Sequence, residues 1–297
     1  MQRKVLYFIA LVLAGPAMFE KVAWQWALFA WRTDDQSYIL LVPAMAFGLI
    51  YWDRRRIFAS VAEKLDFRGL IGLGTAVLLA IVAYASPAGS ERELACTAFA
   101  LISFWAGAFT LCFGVTAARA ATFALGFMVC IVPIPASIID FTTVTLQKGS
   151  ADAVDWIFSL TGVPYLRDGF VFQLAGQGIE VARECSGIRS SLSLIVLTLI
   201  IAHESLQSNW RRVVLILCTV PIVVLKNGVR IVTLTLLAVY VDPSFLTGSL
   251  HHDGGIVFFL IGLVMLVPIL HLLRRSEERK ASSPPPQMAQ SATGVQA

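Results

Sequence analysis

Residues 213–239 read VVLILCTVPIVVLKNGVRIVTLTLLAV. A bilayer core takes about 20 apolar residues per helix, so this run is too long for a single crossing. It also holds Lys226, Asn227 and Arg230 among its aliphatic residues. Ionisable groups in such a setting are costly and are functional candidates by default. Two questions follow: how many stretches of this kind the chain contains, and what meets Arg230.

The first is answered by composition and by the spacing of charge. Of 297 residues, 57% are hydrophobic and 14% charged, with a mean hydropathy of +0.76, whereas about a quarter of the residues in a soluble domain are charged. The expected fold class is an all-α polytopic membrane bundle. Apolar runs near 5–20, 38–52, 69–85, 94–115, 120–139, 187–202, 213–232 and 254–273 predict about eight transmembrane helices. Lys and Arg cluster in every second connection: Arg3 and Lys4, then Arg54, Arg55, Arg56, Lys64 and Arg68, then Arg119, then Arg211 and Arg212, then Arg274, Arg275, Arg279 and Lys280. An even number of spans with both termini in the cytoplasm satisfies all five clusters. The net charge of +4 is thereby explained by topology, and no nucleic-acid surface is implied.

The chain is expected to divide into an integral-membrane domain, 1–273, and a basic, disordered cytoplasmic tail, 274–297, whose end is rich in Pro, Ser, Ala and Gln. The first span also has the charged start, apolar middle and small-residue end of a signal peptide, and its cleavage would leave the remaining topology unchanged. An extracytoplasmic insert of about 140–186 interrupts the bundle. Its first part, TLQKGSADAVDW, suits an amphipathic helix on the membrane surface. Its second, PYLRDGFVFQLAGQGIEVA, alternates apolar and polar residues around DG and GQG turns and predicts a small hairpin.

The five cysteines, Cys96, Cys112, Cys130, Cys185 and Cys218, form no CxxC pair and no Cys/His cluster at metal spacing. No metal or other cofactor is expected. Four of them lie in apolar runs and read as small buried hydrophobes. Cys185 alone is set among polar residues, in RECSGIRSS, 183–191.

Depth arithmetic connects Cys185 to Arg230. Cys185 opens a helix that runs inward, which places it at the outer face. Arg230 follows Arg212 by 18 residues on a helix that runs outward, about 27 Å up at about 1.5 Å per residue. His251 and His252, in GSLHHDGGIVFF, precede another inward helix at the same level. A thiol, a guanidinium and an imidazole on three segments permit nucleophilic acyl transfer, with a thiolate attacking a carbonyl, a histidine moving the proton and a cation stabilising the oxyanion. A thiol at a helix N-terminus beside Arg189 is where a lowered pKa is expected, an effect Glu184 would oppose if it faces the sulfur. Ser186 is a candidate helix cap, and Gly187 allows close approach of a neighbour. Plainer roles exist for several of these groups. Arg230 can snorkel or pair with Glu184, a loop histidine can be solvated, and Arg183, Arg189 and Lys226 can be interfacial anchors or can support the reacting groups from behind.

The sequence resembles the exosortase/archaeosortase membrane transpeptidases. The likeness rests on ECSGIRSS, NGVRIV and HHDGGIVFF, in that order, which are similar to the family's E/A-C-S-G, N-x-x-R and H-x-x-x-G blocks. It extends to WRTDDQSYILLVPAMAF, VPIPASIIDFTTVTLQ and GVPYLRDG upstream. The resemblance implies a cysteine peptidase/transpeptidase in the inner membrane, with its site on the periplasmic side. It would act on exported proteins that end in a short Pro-Glu-Pro-like motif, a transmembrane helix and a basic cluster. Cys185 would be the nucleophile, Arg230 the thiolate or transition-state stabiliser, and His251 the proton carrier, with His252 the alternative. Glu184, Ser186, Gly187, Arg189 and Asn227 would support them. Counting four residues from histidine to glycine favours His251, which aligns with Gly255. Tyr38 departs from the family's usual histidine. The competing readings are a polytopic transporter, with Arg230, Lys226 and His251 as a polar path, and an accessory protein of exopolysaccharide export.

Overall fold

The computed structural model describes residues 2–174, 177–246 and 255–282. Among the described residues it is mostly helical, with one three-stranded sheet, and it separates into two units, Met1–Val144 and Thr145–Ala297. The chain is a multi-pass membrane protein. Four helices are long and apolar enough to cross a bilayer, and two sharply bent helix pairs raise the number to six if each pair is one span.

The first unit contains α1 (Gln2–Met18), α2 (Glu20–Arg32), a 3-10 segment (Asp34–Leu41), α3 (Val42–Trp52), α4 (Arg54–Ile57), α5 (Gly69–Tyr84), α6 (Glu91–Phe113), α7 (Val115–Ala120) and α8 (Thr122–Phe127). A further helix, α9 (Ala136–Thr161), begins here and continues into the second unit. The centre is α6, which buries Leu101, Phe104, Trp105, Phe109 and Phe113. Its start is fixed locally: Ser90 Oγ accepts from Glu93 N at 3.2 Å, and the Glu93 carboxylate accepts from Gly89 N at 2.5 Å. Together these satisfy donors at the helix entrance, in the manner of a capping box. Packing of α5 on α6 goes down to the backbone. A Cβ at Gly69 would lie 2.5 Å from Gly107 O, and one at Gly72 would lie 2.8 Å from Gly107 Cα. Small residues permit this approach, which apolar association alone cannot drive inside lipid.

The predicted span 120–139 is not one helix. The chain passes from α8 through a 3-10 turn (Met128–Ile131) to an extended Val132, then bends by 89° into α9. Val132 and Ile134 each precede a proline, Pro133 and Pro135, and a residue before proline is pushed out of the helical region. The freed backbone groups are satisfied from a distance. Gln36 Nε2 donates to Ile134 O at 3.1 Å, Ile134 N donates to Gln36 Oε1 at 2.7 Å, and Trp26 Nε1 donates to Ile131 O at 3.1 Å.

In the second unit α9 is followed by β1 (Leu166–Asp168), β2 (Val171–Leu174) and β3 (Gln177–Glu180), an antiparallel meander in the order β1-β2-β3. The stretch 145–156 is helical as part of the longer α9, and the predicted hairpin gains a third strand. Registers Asp168↔Val171 and Phe172↔Ile179 place Phe172 and Leu174 inward, against Ala151, Val154 and Phe158 of α9. Arg167 fastens the sheet edge to α9, at 2.7 Å from Asp152 and 3.3 Å from Asp155. The hydrogen bond to Asp152 raises its pKa. Tyr165 donates to Asp155 at 2.8 Å, which raises the phenol's pKa.

The remaining helices are α10 (Ile188–Ser205), α11 (Asn209–Tyr240) and α12 (Gly255–Ser282). At the turn between the first two, Arg212 donates to Leu206 O at 2.9 Å and so covers a carbonyl just past the end of α10, a favourable place for a cation. Arg211 is buried and donates to Ser276 Oγ at 2.8 Å, while Glu277 accepts from Ser208 N at 2.8 Å. The basic cluster predicted from topology is thus also a clasp that ties this turn to α12, which continues beyond 273.

Candidate active site

The segment between the sheet and α10 presents Cys185. It leaves β3 through Val181, whose N–H donates to Phe170 O at 2.9 Å and whose carbonyl accepts from Gln147 Nε2 at 2.7 Å. Arg183–Ser186 is a single 3-10 turn, and Gly187 then takes φ +73°, ψ +19°, before α10 begins at Ile188. That left-handed geometry strains any residue with a Cβ. Space imposes the same choice, since a Cβ on Gly187 would lie 2.8 Å from Asn227 Oδ1 and 3.0 Å from its Cγ.

Gly187, rather than Ser186, is the N-cap of α10, and no side chain caps it. Ser186 is fully buried, and its Oγ has no hydrogen-bond partner among the described residues. The turn is held from behind. Gly187 O accepts from Ser191 N at 2.9 Å, Ser191 Oγ at 2.6 Å and Ser190 Oγ at 3.0 Å. With its first N–H groups lacking intrahelical partners, the start of an 18-residue helix favours negative charge. The backbone turn containing Cys185 lies directly before that helix end.

α11 supplies the other side. Asn227 is fully buried, and its Nδ2 donates to Ser150 Oγ at 2.9 Å, which fixes the amide against α9. Gly228 allows the approach of α9 at this level, where a Cβ would sit 2.7 Å from that of Ala153. Arg230 is half-buried on the same helix, three residues beyond Asn227, a rise of about 4.5 Å. The structure therefore brings the turn of Cys185 and the N-G-V-R segment together through Gly187 and Asn227. Arg189 is exposed in the first turn of α10. For Glu184 and Cys185 the description covers the backbone, and His251 and His252 lie outside the described residues.

Lys226 is not placed as an exposed anchor. It is 1% exposed, and its ammonium group donates to Ser190 Oγ of α10. Its stem passes Gly262 of α12, where a Cβ would lie 3.6 Å from Lys226 Cδ. Ser150 and Ser190 were not candidates from the sequence. Among the described residues no group of three or more His, Cys, Asp or Glu side chains is arranged to hold a metal ion. A groove of the first unit lined by Phe47, Ile50, Tyr51, Arg54, Arg55 and Phe58 contains none of the predicted site residues.

The chain is thus a multi-pass membrane bundle in which the backbone turn of Cys185 packs against the helix that carries Arg230. A family model described as transmembrane exosortase (Exosortase_EpsH) matches residues 30–268, and the chain belongs to that family. Membership points to a transpeptidase or protease role in the sorting of exported proteins with C-terminal signals. No curated protein and no solved structure gives a match.

Proposed function

We propose that this protein is a cysteine peptidase/transpeptidase of the inner membrane that cleaves the C-terminal sorting signal of exported proteins and passes them to an acceptor. In this reading eight spans keep both termini in the cytoplasm, and the site opens on the extracytoplasmic side. The tag helix of the substrate lies in the bilayer, its basic end inside and its short motif at the level of Cys185.

The Cys185 thiolate attacks the scissile carbonyl, forming a C–S bond, and the carbonyl π electrons move onto oxygen. Arg230 and the start of α10 stabilise that oxyanion. Collapse breaks the C–N bond, and His251, or His252 in its place, gives a proton to the departing amine. The thioester left on Cys185 is then attacked by an acceptor nucleophile or by water, which loses its proton to the same histidine as the thiolate leaves. Every step is acyl transfer and needs no cofactor.

The observation that carries this reading is the contact of Gly187 with Asn227, which packs the backbone of the Cys185 turn one helical turn from Arg230. The test is processing of a tagged substrate in cells. Cys185→Ala is expected to abolish cleavage while the protein still accumulates in the membrane. Cleavage by that variant at the normal rate would overturn the proposal.

A further inference from the structure

Lys226 is a buried cation that the proposed chemistry does not use. Burying an ammonium group is expensive unless it is paired, and among the side chains described no ion pair joins Lys226 to a carboxylate. Its hydrogen-bond partner there is the hydroxyl of Ser190. An apolar side chain of similar length would fill the space between Ser190, Leu194 and Gly262 without that cost. A buried charge held by a neutral hydroxyl adds little to the fold, and that hydroxyl belongs to the first turn of α10.

Ser190 accepts from Lys226 and donates onward to Gly187 O at 3.0 Å. The ammonium thus orients the hydroxyl: with a serine lone pair occupied by an N–H donor, the O–H is directed to the carbonyl. A charged donor also polarises the serine and strengthens the bond it gives. The next residue on α11, Asn227, presses on the same glycine from its Cα side and is itself anchored to Ser150. Adjacent residues of one helix therefore hold Gly187 from two directions, one at its carbonyl through Ser190 and one at its Cα. Gly187 is two residues from Cys185 and is the only residue between the 3-10 turn and α10.

We infer that Lys226 is a positioning residue: through Ser190 it sets the carbonyl of Gly187, and with it the turn that presents Cys185 to the substrate. The inference deepens the proposed function and rests on it for the role of the thiol. Small misplacement of a nucleophile costs rate more than binding, so the defect belongs in kcat.

The experiment uses the full-length protein in membranes, with Lys226→Met, Ser190→Ala and the double variant. Two readouts are taken. One is kcat and KM for processing of a tagged substrate, per molecule inserted. The other is the rate at which a small maleimide alkylates Cys185 in a background where the other four cysteines are alanine. Each single variant is expected to lower kcat by about tenfold with KM changed less than about twofold. Each is also expected to change the alkylation rate. The double variant should match Lys226→Met, because the two residues act in one chain. Lys226→Met is expected to melt no lower than the parent, which separates positioning from a structural role.

Unchanged kcat and alkylation in Lys226→Met would overturn the inference, as would losses that multiply in the double variant. If both variants alter alkylation while Cys185→Ala still processes substrate, the catalytic reading fails and the positioning of the turn stands. If Cys185→Ala is inactive and Lys226→Met is normal by both measures, the inference alone fails.

Discussion

Gln36 in the first unit and Lys226 with Asn227 in the second are all polar side chains buried among apolar residues, yet they serve different ends. Gln36 uses both ends of its amide on the backbone of Ile134, where two prolines have broken a helix. It replaces hydrogen bonds that the chain lost, as any broken segment in a bilayer requires. Lys226 and Asn227 lie on an intact helix and mend nothing there. Lys226 reaches across to Ser190, which donates to Gly187 O, and Asn227 lies against the same left-handed glycine, in a turn that continues to Cys185. Burial of a polar group in a membrane bundle is therefore not a sufficient sign of catalysis. What separates the two cases is whether the partner is a backbone group orphaned by a break or a turn with a reactive residue on it.

The comparison is broken most severely at Gly187. Gly187→Ala puts a methyl group into the Asn227 amide and forces alanine into the left-handed region, which alone costs about 1–3 kcal/mol. Processing is expected to be lost, and limited proteolysis is expected to cut the 181–190 segment faster while α6 stays protected. Next comes Gln36→Leu, which strands the N–H and C=O of Ile134 at about 1–3 kcal/mol for each buried group. Thermal unfolding in detergent is expected to shift down, but kcat per folded molecule should be unchanged. A fall in kcat at constant stability would erase the distinction drawn between the two regions.

The smallest effect is expected at Asp66, in the polar connection before α5. Its carboxylate accepts from Val115 N at 3.0 Å and Arg68 N at 3.1 Å, and these bonds, Val115 first, hold its pKa below the usual carboxylate value. A carboxylate depressed in the folded state adds stability above its unfolded pKa of about 4, and that stability is lost as pH falls through the folded value. Asp66→Asn is expected to melt slightly lower than the parent at neutral pH and to lose less on acidification below about pH 4. Parallel melting profiles for the two proteins would remove Asp66 as a pH-sensitive contact.

Much of this organisation is legible in the residue pattern. Apolar length locates α6, α10, α11 and α12, and the D-G turn with alternating residues locates β1 and β2. Two of the quoted blocks, ECSG and NGVR, are neighbours in the second unit through Gly187 and Asn227. The pattern fails where a residue's partner is remote in sequence. A hydropathy window averages over Val132–Pro135 and reads a span, although the two prolines forbid a continuous helix and the groups that compensate are near position 36. Lys226 looks like an interfacial anchor as long as α11 is considered alone. It becomes a buried residue once Ser190 and Gly262 enclose it from α10 and α12. Ser186 reads as a cap because serine before a helix usually is one, but the left-handed glycine after it takes that position. Arg211 and Arg212 were legible as topology signals and not as the clasp on Ser276, Glu277 and the end of α10.

The glycine seam between α5 and α6 has a consequence for the surrounding lipid. With 16 residues, α5 is about 24 Å long, short of the hydrocarbon thickness of about 30 Å. A free helix answers such a mismatch by sliding or by pairing differently, but α5 is locked backbone to backbone against α6 through Gly69, Gly72 and Gly107. If α5 crosses the bilayer at that length, the shortfall passes to the lipid, and the acyl chains are expected to compress around this helix.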